Sequence, residues 1–391
     1  MSLARNSARP PVWLSAAAMA ALWGALYGVA RWISLFVANP VHVDFRIFYV
    51  AAQAGLEHGW ASIYDIPTLE ALSAGFPEAE RYINSSATYV SAPLLAWLIA
   101  PLTVFPVPVA YGMWTAVSAA ALVWAWSIAA PYRGLSKFAL LLLALALWPV
   151  MDSLYYGQPT LLVLALVAAV YRLCEQDRPI AAGLVLAFAT ALKPQVVILV
   201  APALLVSGRY RATLGWVAGI AVIGAVSAAV LGSTGLTSWS RAIQYVQGDP
   251  GHSFFTMARL FGAGYATYAL EAGLGAAAVV AAWRQRARVE VVIAIALLGS
   301  LASAFHLHQP DYAILVLAAW LVLRASPPPW HRGWLVLGVV TMQLITLGQP
   351  IPQLLWDVAW LGILLFSSFG GSGESAPATR APAGSAARAG T

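Results

Sequence analysis

The stretch LSAAAMAALWGALYGVA, residues 14–30, carries no charged side chain and no proline. A backbone placed in hydrocarbon can satisfy its own N–H and C=O groups within one segment only as a helix, so this stretch reads as a membrane-embedded helix. Runs of the same kind recur along the chain, among them LLVLALVAAVY at 161–171 and GLGAAAVVAAW at 273–283. Over all 391 residues, 61% are hydrophobic and 9% charged, with a mean hydropathy of +0.77. Soluble domains carry about 25% charged residues, so the deficit points to lipid as the solvent. Val and Ile are frequent, but the ten-residue alternation of a membrane β-barrel is absent. The expected fold class is an all-α polytopic membrane protein.

The formal charge of +6 would hint at nucleic acid in a soluble chain; here it is read as a topology signal, and no nucleic-acid partner is expected. The single cysteine, Cys174, excludes an intrachain disulfide. A short basic lead with Arg5 and Arg9 precedes a first span at about 12–37, which lacks the build of a cleaved signal peptide. A polar segment at about 38–90 holds room for two surface helices, near 46–58 and 67–75. Apolar runs follow at about 91–130, 138–150, 159–172, 179–192, 194–207 and 211–231. After a second polar segment at about 232–262 they resume at about 263–283, 289–304, 310–323, 333–347 and 353–369. Several fall short of the roughly 20 residues of a full span. Pro149, Pro159, Pro194 and Pro310 mark their edges, a pattern that suits a cavity cut into one half of the membrane. Residues 1–369 are read as one integral membrane domain, with outer loops at 38–90 and 232–262. Residues 370–391 are read as a disordered cytoplasmic tail.

With the N-terminus in the cytoplasm, Arg133, Lys137, Arg172, Arg178, Arg209, Arg211, Arg284, Arg286, Arg288, Arg324 and Arg332 all face the cytoplasm. This requires an odd number of crossings within 91–130: a half-membrane helix near 91–106, then one crossing near 108–130. The positive-inside rule applied to every later loop then gives about twelve transmembrane helices with both ends inside. The opposite face receives Asp44, Asp152, Tyr155, Tyr156, Gln158, Lys193, Gln195, Arg241, Asp249, His252, Arg259, His306, His308, Gln309 and Asp311.

Two readings stand for Asp44, in HVDFRIFY: a shielded carboxylate acting as general base, or a helix N-cap. Lys193, in ALKPQ, is costly at membrane depth unless paired or functional; it reads as a phosphate ligand or as a snorkelling helix-end lysine. His306 and His308, in FHLHQPDY, are two apart and share no helical face, so only a bend brings them to one ligand. The segment lacks the HExxH pattern, and hydrogen bonding to phosphate or sugar, with Gln309 and Asp311 as neighbours, is preferred over a metal. In YYGQP, Gly157 and Pro159 define a turn. Interfacial tyrosines such as Tyr156 are routine, so Gln158 is the more specific signal. Arg241 and Arg259 are placed to attract an anionic headgroup.

Taken in order, these pieces resemble the bacterial polyprenol-phosphate-dependent mannosyltransferases of glycosyltransferase family 87. The residues carrying the resemblance are VDFRIFYVAAQAGLEHGWASIYD (43–65), SAPLLAWLIAPLTVFP (91–106), YYGQPTLLVLAL (155–166), RPIAAGLVLAFATALKPQ (178–195) and HLHQPDYAILVLA (306–318), within about 12–369. Ser-Ala-Pro stands where Tyr-Pro-Pro is common, and Pro159-Thr160 replaces a Val-Asn type.

The resemblance implies a GT-C fold and an inverting transfer of a hexose, mannose above others. The donor would be a polyprenyl monophosphate sugar and the acceptor a lipid-linked molecule or glycolipid. The reaction would occur at the periplasmic face of a bacterial inner membrane, without a cofactor or an obligate metal. It assigns Asp44 as base. Lys193, His306, His308, Gln158, Arg259 and Tyr156 would bind donor phosphate and sugar, with Arg46, Gln195, Gln309 and Asp311 in support. The competing class is a transporter or flippase, kept open by the membrane-interior acids Glu271 and Asp357. A one-sided collection of polar residues at helix ends favours the transferase.

Overall fold

The computed structural model describes residues 11–38, 43–76, 88–247, 254–367 and 369, and among them there are helices and no β-strand. The first helix, α1 (Val12–Ala38), presents Trp23, Tyr27, Ile33 and Val37 outward. Exposed apolar side chains on a helix of 27 residues are what a lipid-facing span requires.

Two helices stand where the first polar segment predicts them: α2 (Val43–His58) and α3 (Ile66–Ser73). The second is started by Asp65, whose carboxylate accepts from the Thr68 N–H at 3.2 Å and from its hydroxyl at 2.6 Å. Proline in the first turn opens α4 (Pro93–Ile99), which runs through a 3-10 turn into α5 (Val107–Ala129). Then come α6 (Gly134–Ala146), α7 (Trp148–Tyr156), α8 (Thr160–Glu175), α9 (Pro179–Leu192) and α10 (Val200–Val206). The long α11 (Tyr210–Gln247) is two helical stretches joined by a kink at Gly232 (φ 60°), where the apolar run was expected to stop near 231. The chain closes with α12 (Ala258–Phe261), α13 (Tyr265–Arg284), α14 (Val289–Ala302), α15 (Ile314–Arg324), α16 (Trp330–Ile345) and α17 (Ile351–Phe366).

This architecture corrects the count of about twelve transmembrane helices. Among the described residues, four helices are long and apolar enough to cross a membrane: α1, α5, the Tyr210–Gln244 stretch of α11, and α13. A fifth is reached only if α6 and α7, bent by 59° at Leu147, act as one broken span. The reason is length. The runs that looked like spans are cut into helices of 14 residues in α9 and α14 and 16 in α8 and α17. At 1.5 Å per residue these reach about 21–24 Å, short of a core of about 30 Å.

Burial is most complete in the short α14. Every residue of α14 from Val291 to Ala302 is buried, and α14 packs against α13, α15, α10 and α17. A second close contact joins α9 to α11. A Cβ on Gly183 would overlap the backbone carbonyl oxygen of Ala212, and one on Gly215 that of Ile180, so the two backbones meet through glycine. Gly183→Val is therefore expected to cost about 3 kcal/mol, since overpacking here must move a helix backbone. Thermal unfolding in detergent measures it; an unchanged midpoint would contradict this packing.

Side-chain bonds gather the basic loops at one end. Arg209 donates to the Arg286 carbonyl at 3.0 Å, Arg288 to that of Ala325 at 3.1 Å and Arg324 to that of Ile128 at 3.4 Å. Lys137 donates to the Ser127 carbonyl at 2.7 Å. Helices α5, α8, α9, α14 and α15 each have one terminus in this basic end. Their other termini lead to the residues described next.

Candidate active site

Four side chains, Asp44, Gln158, Lys193 and Asp311, meet in a chain of polar contacts, and Thr160 joins it at Lys193. Lys193, the residue after α9, is 5% exposed, and its ammonium lies 2.5 Å from Oδ1 of Asp311, which is fully buried. The same ammonium donates to Thr160 Oγ1 at 2.9 Å and to Gln158 Oε1 at 2.7 Å. Gln158 Nε2 in turn donates to Asp44 Oδ2 at 2.5 Å. The direction of this chain is dictated by chemistry. An ammonium only donates, so the Gln158 amide must turn its oxygen to Lys193 and its NH2 to Asp44.

Local structure holds each member in place. Gly157 ends α7 in the left-handed conformation (φ 68°), and the Gln158 N–H bonds back to the Ser153 carbonyl at 2.9 Å. Trp114 of α5 donates to the Gly157 carbonyl at 2.8 Å, and a Cβ on Gly157 would press on Phe45, the neighbour of Asp44. Asp311 sits in a 3-10 turn, Gln309–Ala313, where its Oδ2 accepts the His308 N–H at 2.8 Å and a His308 ring nitrogen caps the turn in return.

Asp44 occupies the first turn of α2, where the helix dipole favours a carboxylate. Among the described residues no backbone N–H of α2 donates to it, so the N-cap reading lacks its defining bond. Among the described residues its Oδ1 has no hydrogen-bond partner, and the residue is partly exposed. Burial lifts the Asp44 carboxyl above its ordinary value. The Gln158 bond and the charges of His308 and Lys193 pull it back, and Asp311 adds to the rise. A base works only when deprotonated, so transfer by Asp44 is expected to fade as pH falls through a value above the usual carboxylate range near 4. Rate against pH measures that limb, and a profile flat down to pH 4 would exclude Asp44 as the base.

The remaining residues named from the sequence divide into rim and periphery. His306 and His308 lie in a bent stretch between α14 and the Gln309 turn, with rings 4.8 Å apart, so the bend required by their spacing is present. Arg259 on α12 is exposed and stacks on Phe254 at 4.7 Å. Its loop is tied to the Asp311 turn, because the Tyr312 hydroxyl donates to the Phe255 carbonyl at 3.0 Å. Tyr156 is half-buried, with Tyr155 edge-on at 5.4 Å. Gln195 and Gln309 are half-buried beside Lys193 and Asp311 in sequence, and neither bonds to the chain of four. Arg46 is two residues from Asp44, hence on the far side of α2, where it stacks on Phe76 at 4.9 Å. Asp249 and His252 lie outside the described residues, as does the 370–391 tail.

Sequence reading does not single out Thr160, and it places Asp152 on this face without giving it a role. Thr160 is a ligand of Lys193, and its position directly after Gln158-Pro159 was the available signal. Asp152, buried on α7 with Oδ2 unpartnered, feels the charges of both Asp44 and Arg31. Among the described residues no three His, Cys, Asp or Glu side chains are grouped to hold a metal ion.

Comparison with known proteins bears on what this site serves. No curated protein and no solved structure matches the chain. One family model does match, over residues 89–305, more than half of the chain. That range is narrower than the 12–369 over which the motifs resemble the family. It includes Gln158, Thr160, Lys193 and Arg259 and stops before His306. On this match the chain belongs to glycosyltransferase family 87 and is a multi-pass membrane glycosyltransferase.

Proposed function

We propose that the protein moves a hexose, mannose above others, from a polyprenyl monophosphate sugar to a lipid-linked or glycolipid acceptor, with inversion at the anomeric carbon. The observation that carries the proposal is the half-open Asp44 carboxylate. One oxygen is pinned by Gln158 and the other is left free at the end of the molecule opposite the basic loops. By the positive-inside rule that end faces the periplasm.

In this reading Asp44 Oδ1 takes the proton of the acceptor hydroxyl. The acceptor oxygen attacks the anomeric carbon from the side opposite the phosphate. The bond from that carbon to the phosphate oxygen breaks, and polyprenyl phosphate leaves as an anion that needs no strong acid. Inverting glycosidases follow the same geometric logic. Arg259, His306 and His308 border the place where phosphate charge grows. From sequence Lys193 reads as a phosphate ligand or a snorkelling lysine. Its donors are occupied by Asp311, Thr160 and Gln158, so we assign it to positioning the amide that orients the base.

Arg259→Ala, which removes an exposed cation and no internal bond, is expected to raise KM for the donor about tenfold with a smaller change in kcat. An unchanged KM would take Arg259 out of donor binding. The proposal as a whole is tested by the configuration of the product. NMR of the new glycosidic linkage should show inversion relative to the donor, and retention would require a covalent sugar intermediate that this site does not foresee.

A further inference from the structure

At the basic end, away from Asp44, a cavity of about 410 Å³ is lined by Arg284, Gln285, Arg288 and Ser367 together with apolar atoms of α17 and Phe369. It opens beside a second cavity of about 590 Å³ whose walls include Trp330 and the α17 side chains Gly362 and Ile363. Phe366 and Ser367 belong to both. One compartment is cationic and the other apolar, and they share a wall.

Arg284 is the last residue of α13, a helix of membrane-spanning length, so the cationic compartment lies at the edge of the hydrocarbon layer. Its surroundings fit that depth: Trp283 and Phe366 are 53% and 74% exposed, as aromatic side chains at a membrane interface are. Among the described residues, no carboxylate pairs with Arg284, whose guanidinium lies 5.7 Å from the Phe366 ring. The Gln285 amide is held from behind by the Leu364 and Ser367 carbonyls at 3.2 and 2.8 Å, which leaves its oxygen as an acceptor for a headgroup hydroxyl.

We infer that this paired cavity is a binding site for one anionic phospholipid of the leaflet at the basic end, its phosphate on Arg284, with Arg288, which donates to the Ala325 carbonyl, adding positive charge beside it, and an acyl chain in the Trp330 cleft. Charge complementarity fixes the class, since basic pockets between membrane helices take anionic headgroups. The apolar compartment distinguishes a lipid from free phosphate. The site is independent of the sugar-transfer reading.

The test is native mass spectrometry of the full-length protein released from micelles doped with equal amounts of phosphatidylglycerol and phosphatidylcholine of the same chains. Wild type should retain one phosphatidylglycerol about fivefold more than phosphatidylcholine, and Arg284→Gln should bring the ratio close to one. Arg211→Gln, an exposed arginine elsewhere on the basic end, should leave the ratio as in wild type. If Arg284→Gln does not fold, competition on wild type decides. Excess inorganic phosphate should not displace the lipid, and short-chain phosphatidylglycerol should. Equal retention of the two lipids by wild type, an unchanged ratio in Arg284→Gln, or displacement by phosphate alone would each overturn the assignment.

Discussion

Lys193→Met should lower the unfolding free energy by about 3–5 kcal/mol, a large fraction of what a typical protein has. The loss comes from what remains rather than from what is removed. Asp311 is fully buried, and among the described residues the ammonium at 2.5 Å is the cation paired with it; the His308 N–H satisfies the other oxygen but supplies no charge. Thr160 and Gln158 lose a donor as well. Lys193→Met combined with Asp311→Asn removes both charges while keeping an oxygen for the His308 N–H, and should recover most of the stability. Transfer should stay low in the double variant, because the Gln158 amide no longer has the cation that fixes its orientation. Thermal unfolding and turnover measured on the same preparations separate the two effects. An unfolding midpoint unchanged in Lys193→Met would mean that the pair is not the buried ion pair described here.

Asp44→Asn is expected to act in the opposite way, lowering turnover by about 10²–10⁴-fold while leaving the fold intact or firmer. The new amide oxygen can still accept from Gln158 Nε2, so the contact to α7 survives. The sign of the stability change follows from the raised carboxyl. A group that ionises less readily in the folded state than in the unfolded one stabilises the fold while protonated, and that contribution fades as pH rises through its folded value. Once ionised, the carboxylate is thus a burden on the fold, and its neutral isostere relieves it. A variant that lost both activity and stability would mark Asp44 as a structural residue.

How far the sequence reveals this arrangement differs between its parts. Helical character and membrane residence follow from runs such as 14–30, because no other backbone form suits hydrocarbon. The polar segment after the first span also shows its two helices, since it carries their periodicity. The number of crossings does not follow, because hydropathy registers burial and lipid exposure alike. α14 is apolar over most of its length because protein surrounds it from Val291 onward, not because it spans a bilayer alone. Gly232 is legible in the sequence: the apolar run ends there, and α11 kinks at that residue before a second helical stretch.

At the site, residue types and helix-end positions single out Asp44, Gln158, Lys193 and Asp311 one by one. Their connection is not legible. Lys193 and Asp311 lie 118 positions apart, and nothing local in ALKPQ announces that its cation is spent on protein groups. Thr160 escapes for the same reason, as a helix-opening threonine is unremarkable until the lysine beside it is seen. Arg46 fails in the other sense, because proximity in sequence to Asp44 suggests a shared role that two residues of helix turn undo.

The most direct test is transfer of radiolabelled mannose from synthetic polyprenyl phosphate mannose to extracted membrane glycolipids, with purified wild type beside Asp44→Asn. The account predicts label on a glycolipid with the wild type and at least a hundredfold less with the variant. Equal labelling by the two proteins would contradict it.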